Sequence, residues 1–336
     1  MCWVRVKILH YTMNGDLWIN LLKLLVGIGV LVKGADLLIA GAAGLARRAG
    51  VPEFVIGLTL VAFGTSLPEL TVNIQASLES ASEITLGNVI GSNIANILLI
   101  LGVAGLIRPL SIHRTFVKKE IPLNFLSIVL LFAMVGDRLL DGSATAYVSR
   151  SEGLVLMTTF VGYLYFLAAF LEREAVDEDS ARLSYVRGGI YVAVGLIGLA
   201  LGSEWTVDGG VNLALELGVS QTLVGLFLIA VGTSLPELLT SAMAAYRGNP
   251  DIALGNVAGS NIFNVSLVLG ASSLINPIPV PDVIFKDIVL LAVATLVLFL
   301  SNYLGRKYTV SRPEAFVFLI IYTAYAVLSW YAEVKG

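Results

Sequence analysis

Apolar runs separated by short polar connections recur along the chain. Ten of them are long enough, at about 20 residues each, to cross the roughly 30 Å hydrocarbon layer of a bilayer. They cover approximately 17–40, 52–77, 84–107, 119–136 and 152–171, and then 188–208, 220–245, 252–275, 283–302 and 313–332. The charged stretch from Glu172 to Arg182 divides them into two sets of five. The pattern predicts an all-α integral membrane protein: an N-terminal segment 1–16, a first five-helix unit 17–171, a cytoplasmic linker 172–187 and a second five-helix unit 188–336.

Composition agrees with the pattern and excludes other classes. Of 336 residues, 57% are hydrophobic and 13% charged, more apolar surface than a soluble core could hide. A net charge of −3, dispersed along the chain, gives no surface for nucleic acid. The single cysteine, Cys2, forms neither an intrachain disulfide nor a thiolate zinc site. No small-residue cleavage pattern follows the first apolar run, so no cleaved signal peptide is expected, and Met13 is a second candidate for the start. His10 and His113 are isolated and fit loop positions better than ligand roles. The acidic stretch lacks a glycine-pivoted calcium loop and reads as a solvated connection.

Sliding the chain along itself by 168 residues reveals an internal repeat. Gly64-Thr-Ser-Leu-Pro-Glu69-Leu falls on Gly232-Thr-Ser-Leu-Pro-Glu237-Leu, and Gly87-Asn-Val-Ile-Gly-Ser-Asn-Ile-Ala-Asn96 falls on Gly255-Asn-Val-Ala-Gly-Ser-Asn-Ile-Phe-Asn264. Between Gly64 and Gly102, 21 of 39 positions are identical in the two copies. Upstream, Gly34, Asp36, Gly41, Gly50 and Val51 meet Gly202, Glu204, Gly209, Gly218 and Val219. Five spans is an odd number, so the second copy enters the membrane from the opposite side, as in inverted-repeat secondary transporters. Thirteen Lys and Arg residues fall on the side of 47–50, 108–119, 172–187, 246–251 and 305–312, against six on the other. That side is therefore expected to be cytoplasmic, with both termini extracellular and the protein in the cell membrane.

The chemistry sits in the repeated motifs. Glu69 and Glu237 lie within apolar spans, where a carboxylate costs several kcal/mol unless it meets a partner or a water-filled cavity. A protonated glutamate satisfied by a neighbouring helix would not explain why Thr-Ser-Leu-Pro precedes it twice. Pro68 and Pro236 interrupt the helical ladder, and carbonyls near Ala62, Thr65, Ala230 and Thr233 are expected to lose partners. Carboxylate, hydroxyl, amide and freed carbonyl oxygens suit a hard cation such as Ca²⁺, and Na⁺ also takes oxygen ligands. Thr65, Ser66, Thr233 and Ser234 offer hydroxyls within a turn, though ordinary helix-to-helix hydrogen bonding would also use them. The second motif spaces glycines along one helical stripe and polar groups along the next, so that Ser92, Asn96, Ser260 and Asn264 add neutral oxygens. Asn88, Asn93, Asn256 and Asn261 either join this set or tie helices together.

These motifs resemble the cation/calcium antiporter superfamily, whose sodium/calcium exchangers carry two such repeats, and the likeness covers nearly the whole chain. It implies ten helices around four clustered cation sites at mid-membrane. The ligands it implies are the Ala62 carbonyl, Thr65, Ser66, Glu69, Ser92 and Asn96, with the Ala230 carbonyl, Thr233, Ser234, Glu237, Ser260 and Asn264. One departure is Asn264, where sodium/calcium exchangers often carry Asp; it resembles a bacterial and archaeal branch and argues against potassium dependence.

The expected activity is secondary antiport of Ca²⁺ against Na⁺ by alternating access, with no cofactor, no enzymatic chemistry, and Ca²⁺, Na⁺ and lipid as partners. A monomer is the simplest expectation. A cation/proton antiporter would use the same glutamates as proton carriers, and a cation channel would need no alternating site. No Ser/Lys pair, Asp/Asp pair or HExxH motif points to an intramembrane enzyme. Gly27, Gly29 and Gly34, with Gly195, Gly198 and Gly202, mark the first span of each half as either a sliding surface or a site of close static packing. Asp36 and Glu204 lie near the ends of those spans, and Lys33 is a candidate partner for Asp36.

Overall fold

The computed structural model describes residues 17–79, 83–111, 121–136, 146–169, 183–217, 232–281, 284–304 and 308–335. Ala230, most of the linker and the start of the seventh expected span lie outside the described residues. Among the described residues the fold is helical apart from four two-residue strands. Helix α1 is Leu17–Ala49; α2 runs through Glu53–Ile56, Gly57–Val61 and Ala62–Thr65; α3 is Leu67–Leu78. Helix α4 joins Glu83–Ile94, Ala95–Ile100 and Leu101–Ile107; α5 is Ile121–Val135 and α6 is Arg150–Ala169. Then come α7 (Tyr185–Glu216), α8 (Leu235–Arg247) and α9, which joins Pro250–Phe263, Asn264–Leu269 and Gly270–Ile275. Helices α10 (Ile284–Leu304) and α11 (Arg312–Lys335) close the chain.

Among the described residues, seven helices are long and apolar enough to cross a membrane. The α2/α3 pair, bent by 43° between Thr65 and Leu67, makes an eighth. Pro68 at the start of α3 explains the bend: its ring displaces the preceding turn, and Ser66 takes a non-helical conformation with ψ of 2°. The second copy repeats this at Ser234, with ψ of 6°, before Pro236. Helices α1 and α7 are longer than the apolar runs suggest, at 33 and 32 residues. At 1.5 Å per residue each extends roughly 50 Å, beyond a hydrocarbon core, because the two helices support one another along their length.

That support comes from glycine. A Cβ on Gly34 would meet the backbone of Gly195 and Leu199, and one on Gly202 would meet Leu31 N at 2.6 Å and Gly27 O at 2.9 Å. Gly41 lies on Gly188, and Gly209 on Asn20 and Leu24, so α1 and α7 run antiparallel. Each contact has a counterpart displaced by 168 residues, the reciprocity of a two-fold interface within one chain. The stripes therefore fasten α1 to α7 and are not a surface facing the remaining bundle; Asn20 Nδ2 donating to Glu216 Oε1 at 2.8 Å adds a polar tie. Gly29 is outside the stripe, with nothing within 4 Å of its Cβ position. Gly202→Val should destabilise the protein by at least about 3 kcal/mol, since backbone cannot move aside as a side chain can. Thermal unfolding in detergent measures this, with Gly29→Val as the variant expected to melt like wild type.

The reciprocity continues past the segments matched at 168. Strand β1 (Leu110–Ser111) pairs with β4 (Thr309–Val310), and β2 (Tyr147–Val148) pairs with β3 (Ile278–Pro279), both antiparallel. Arg150 Nε and Nη2 donate to the carbonyls of Leu274 and Ile275 at the end of α9, each at 3.1 Å. Arg312 does the same for Leu106 at 3.1 Å and Ile107 at 3.4 Å, at the end of α4. Each arginine satisfies C-terminal carbonyls that have no partner within their own helix. In front of them, Ser149 Oγ and N donate to Glu152 Oε2 at 2.7 Å, and Ser311 repeats the pattern with Glu314.

Candidate cation site

The two proline breaks meet at the centre of the fold, where α4 and α9 carry the second motif past them. Glycine makes the approach close: Gly255 and Gly259 of α9 lie against Phe54 O and Leu58 O of α2, so any side chain would push the helices apart. Hydroxyls and amides then pair across the repeats in reciprocal fashion. Ser66 Oγ and Ser260 Oγ are hydrogen-bonded at 3.1 Å, and Ser234 Oγ and Ser92 Oγ at 3.3 Å. Thr65 Oγ1 donates to Asn256 Oδ1 at 3.1 Å, and Thr233 Oγ1 to Asn88 Oδ1 at 3.4 Å. Asn96 Nδ2 donates to Asn261 Oδ1 at 2.9 Å, and Asn264 Nδ2 to Asn93 Oδ1 at 3.0 Å. Asn88, Asn93, Asn256 and Asn261 therefore tie the halves together and orient their neighbours.

The ties also determine which oxygens remain. With their NH₂ groups engaged, Asn96 and Asn264 each keep a buried Oδ1 without a partner. Glu69 is 1% exposed with both carboxylate oxygens unpartnered, and Glu237, also 1% exposed, receives Ser66 Oγ on Oε1 at 3.3 Å and leaves Oε2 bare. These five orphaned oxygens come from both repeats, and buried polar atoms are rarely left so without a ligand to satisfy them. Two are on Glu69, one on Glu237, and two on neutral amides: an oxygen-only set suited to a hard cation, here as cargo.

The described members of the expected set, Thr65, Ser66, Glu69, Ser92, Asn96, Thr233, Ser234, Glu237, Ser260 and Asn264, thus surround one buried cluster. The expectation that Ala62 loses its helical partner is corrected: its carbonyl accepts Ser66 N at 3.0 Å. Proline removes the donor four residues after Gly64 or Gly232, not after Ala62. At the second break the Gly232 carbonyl is taken by Ser203 Oγ of α7 at 2.9 Å. Sequence reading missed Ser203, whose counterpart is Ala35; the repeat flagged only what it duplicated.

A cavity of about 500 Å³ lies between α3 and α7 and touches the edge of this cluster at Thr233. Its walls include Val72 and Thr71 of α3 with Ser203, Glu204 and Asp208 of α7, and it extends to Thr233, Pro68 and Pro236 at the breaks.

Buried, membrane-spanning and lined by oxygens from both halves, this arrangement defines a multi-pass membrane protein of the exchanger class. The family profile described as sodium/calcium exchanger protein matches residues 19–169 and 188–331, and the chain belongs to that family. It is 35% identical over 349 residues to the sodium/calcium exchanger MaX1 of Methanosarcina acetivorans, covering 93% of this chain and 99% of that one. It is 41% identical over 266 residues to the inner membrane protein YrbG of Escherichia coli K12, covering 76% and 79%. The solved structure of the sodium-calcium exchanger NCX_Mj superposes with a TM-score of 0.79 at 32% identity, over 92% of this chain and 98% of that one.

Proposed function

We propose that the protein exchanges Ca²⁺ for Na⁺ by alternating access, the ions competing for Glu69, Glu237, Ser66, Ser92, Ser234, Ser260, Thr65, Thr233, Asn96, Asn264 and the carbonyls of Ala62 and Ala230. The observation that carries the reading is the set of buried, unpartnered oxygens on Glu69, Glu237, Asn96 and Asn264. Two carboxylates give the cluster a charge near −2 when ionised, which one divalent cation or two monovalent ones neutralise. An empty, ionised pair resists enclosure in a low-dielectric interior, so occlusion proceeds with an ion in place.

The architecture we assign to this activity is ten spans in two inverted five-helix repeats, with the second and seventh broken at Pro68 and Pro236. Antiparallel packing of the repeat-related α1 and α7 supports it. With the basic connections placed in the cytoplasm, the cavity beside Glu204 and Val72 opens outward. Uptake of ⁴⁵Ca²⁺ into proteoliposomes, with Na⁺, K⁺ or H⁺ gradients imposed one at a time, tests the reading. An outward Na⁺ gradient alone should drive saturable uptake. Uptake driven only by a proton gradient overturns the sodium coupling, and flux beyond a carrier's rate indicates a channel.

A further inference from the structure

The two halves differ in the charges that stand where the first helix of one meets the broken helix of the other. Asp36 on α1 is ion-paired with Arg247 at the end of α8 and with Lys33 at 3.1 Å. Displaced by 168 residues, Asp36 becomes Glu204 and Lys33 becomes Leu201, while the counterpart of Arg247 is Glu79. The contact that joins opposite charges in one half would, in the related half, bring two carboxylates together if the cavity closed.

The conformation is asymmetric in the same sense. Helix α1 packs along α8, with Leu38, Ile39 and Ala42 sharing an apolar cluster with Leu239, Met243 and Ala244. Their counterparts α7 and α3 are parted by the 500 Å³ cavity, with Glu204 and Val72 on its walls. Thr240, the counterpart of Val72, is 0% exposed on the closed side.

We propose that Asp36 and Arg247 are positioning residues that latch α1 to α8 and hold the face opposite the cavity shut, while Glu79 and Glu204 oppose closure of the cavity face. The charge asymmetry sets the resting conformation of an otherwise two-fold-related machine; the inference rests on the alternating-access reading above. The side chains of Asp36 and Arg247 are 21% and 39% exposed, so the pair is partly screened. Such a pair biases an equilibrium without freezing it, which a cycling carrier requires.

The test reads both faces at once. In a Cys2→Ser background, Val72→Cys reports on the cavity and Thr240→Cys on the latched face, each by its rate of modification with a polar maleimide in detergent. Arg247→Ala should slow the first at least threefold and speed the second at least threefold. The charge swap Asp36→Arg with Arg247→Asp should restore both rates. Glu79→Arg, a surface change that leaves the packing intact, should shift both rates in the same directions as Arg247→Ala, by placing an opposite charge across the cavity from Glu204. Unchanged rates, or both rising together as in simple loosening, overturn the latch. Labelling needs no ion flux: a protein that exchanges normally with unresponsive reporters loses the latch alone, and one with reciprocal shifts but no sodium-driven uptake loses the carrier reading alone.

Discussion

Glu69→Gln or Glu237→Gln in proteoliposomes lowers sodium-driven ⁴⁵Ca²⁺ uptake at least a hundredfold, each on its own. Glutamine keeps the shape and one carbonyl oxygen but removes a unit of charge, so a divalent ion in the closed site is left half-neutralised. The cost of an uncompensated buried charge is several kcal/mol, and a hundredfold loss requires only about 2.7 kcal/mol. Folding should not suffer, because each substitution relieves a buried carboxylate with at least one unpartnered oxygen. Thermal melting at or above the wild-type temperature, with uptake abolished, is the expected combination. Full uptake in either variant removes the site from the mechanism.

Asn264→Asp should move the apparent Ca²⁺ affinity in the opposite direction. The present amide donates to Asn93 Oδ1 at 3.0 Å and leaves Oδ1 free. Aspartate forfeits that donation, a loss of about 1–3 kcal/mol. Against it stands a third negative charge beside a divalent ion. A single unit pair at 4 Å contributes about 4 kcal/mol at an effective dielectric near 20. Charge wins, and the half-saturating Ca²⁺ concentration should fall at least tenfold, about 1.4 kcal/mol, with slower turnover as release becomes limiting. Concentration-dependent uptake measures both; an unchanged half-saturation shows that Asn264 does not face the ion.

The glutamates were legible because a carboxylate in an apolar run needs a physical reason, and because each motif appears twice. The helices were legible too, since each expected span meets a helix within the described residues. Three features were not. The roles of Asn93 and Asn261 against Asn96 and Asn264 depend on which amide nitrogen reaches across the repeat, a matter of packing rather than residue type. The glycine stripes read equally as sliding or static surfaces, and only their partner, the other stripe, decides that they fasten α1 to α7. The reciprocity of the last two helices escaped a gapless shift of 168 because Val148-Ser-Arg-Ser-Glu152 and Val310-Ser-Arg-Pro-Glu314 are 162 residues apart. A six-residue deletion in the second copy brings them into register.

The arginine exchange at the helix ends bears on how the chain matures. As synthesis proceeds, α4 is complete long before Arg312 and β4 exist to receive it, and α9 must find Arg150 on a helix made earlier. Neither half contains all the donors its own helix ends require: the last carbonyls of α4 wait for Arg312, and those of α9 for Arg150. Insertion can begin at the N-terminus, but the native bundle locks only when the final helix arrives.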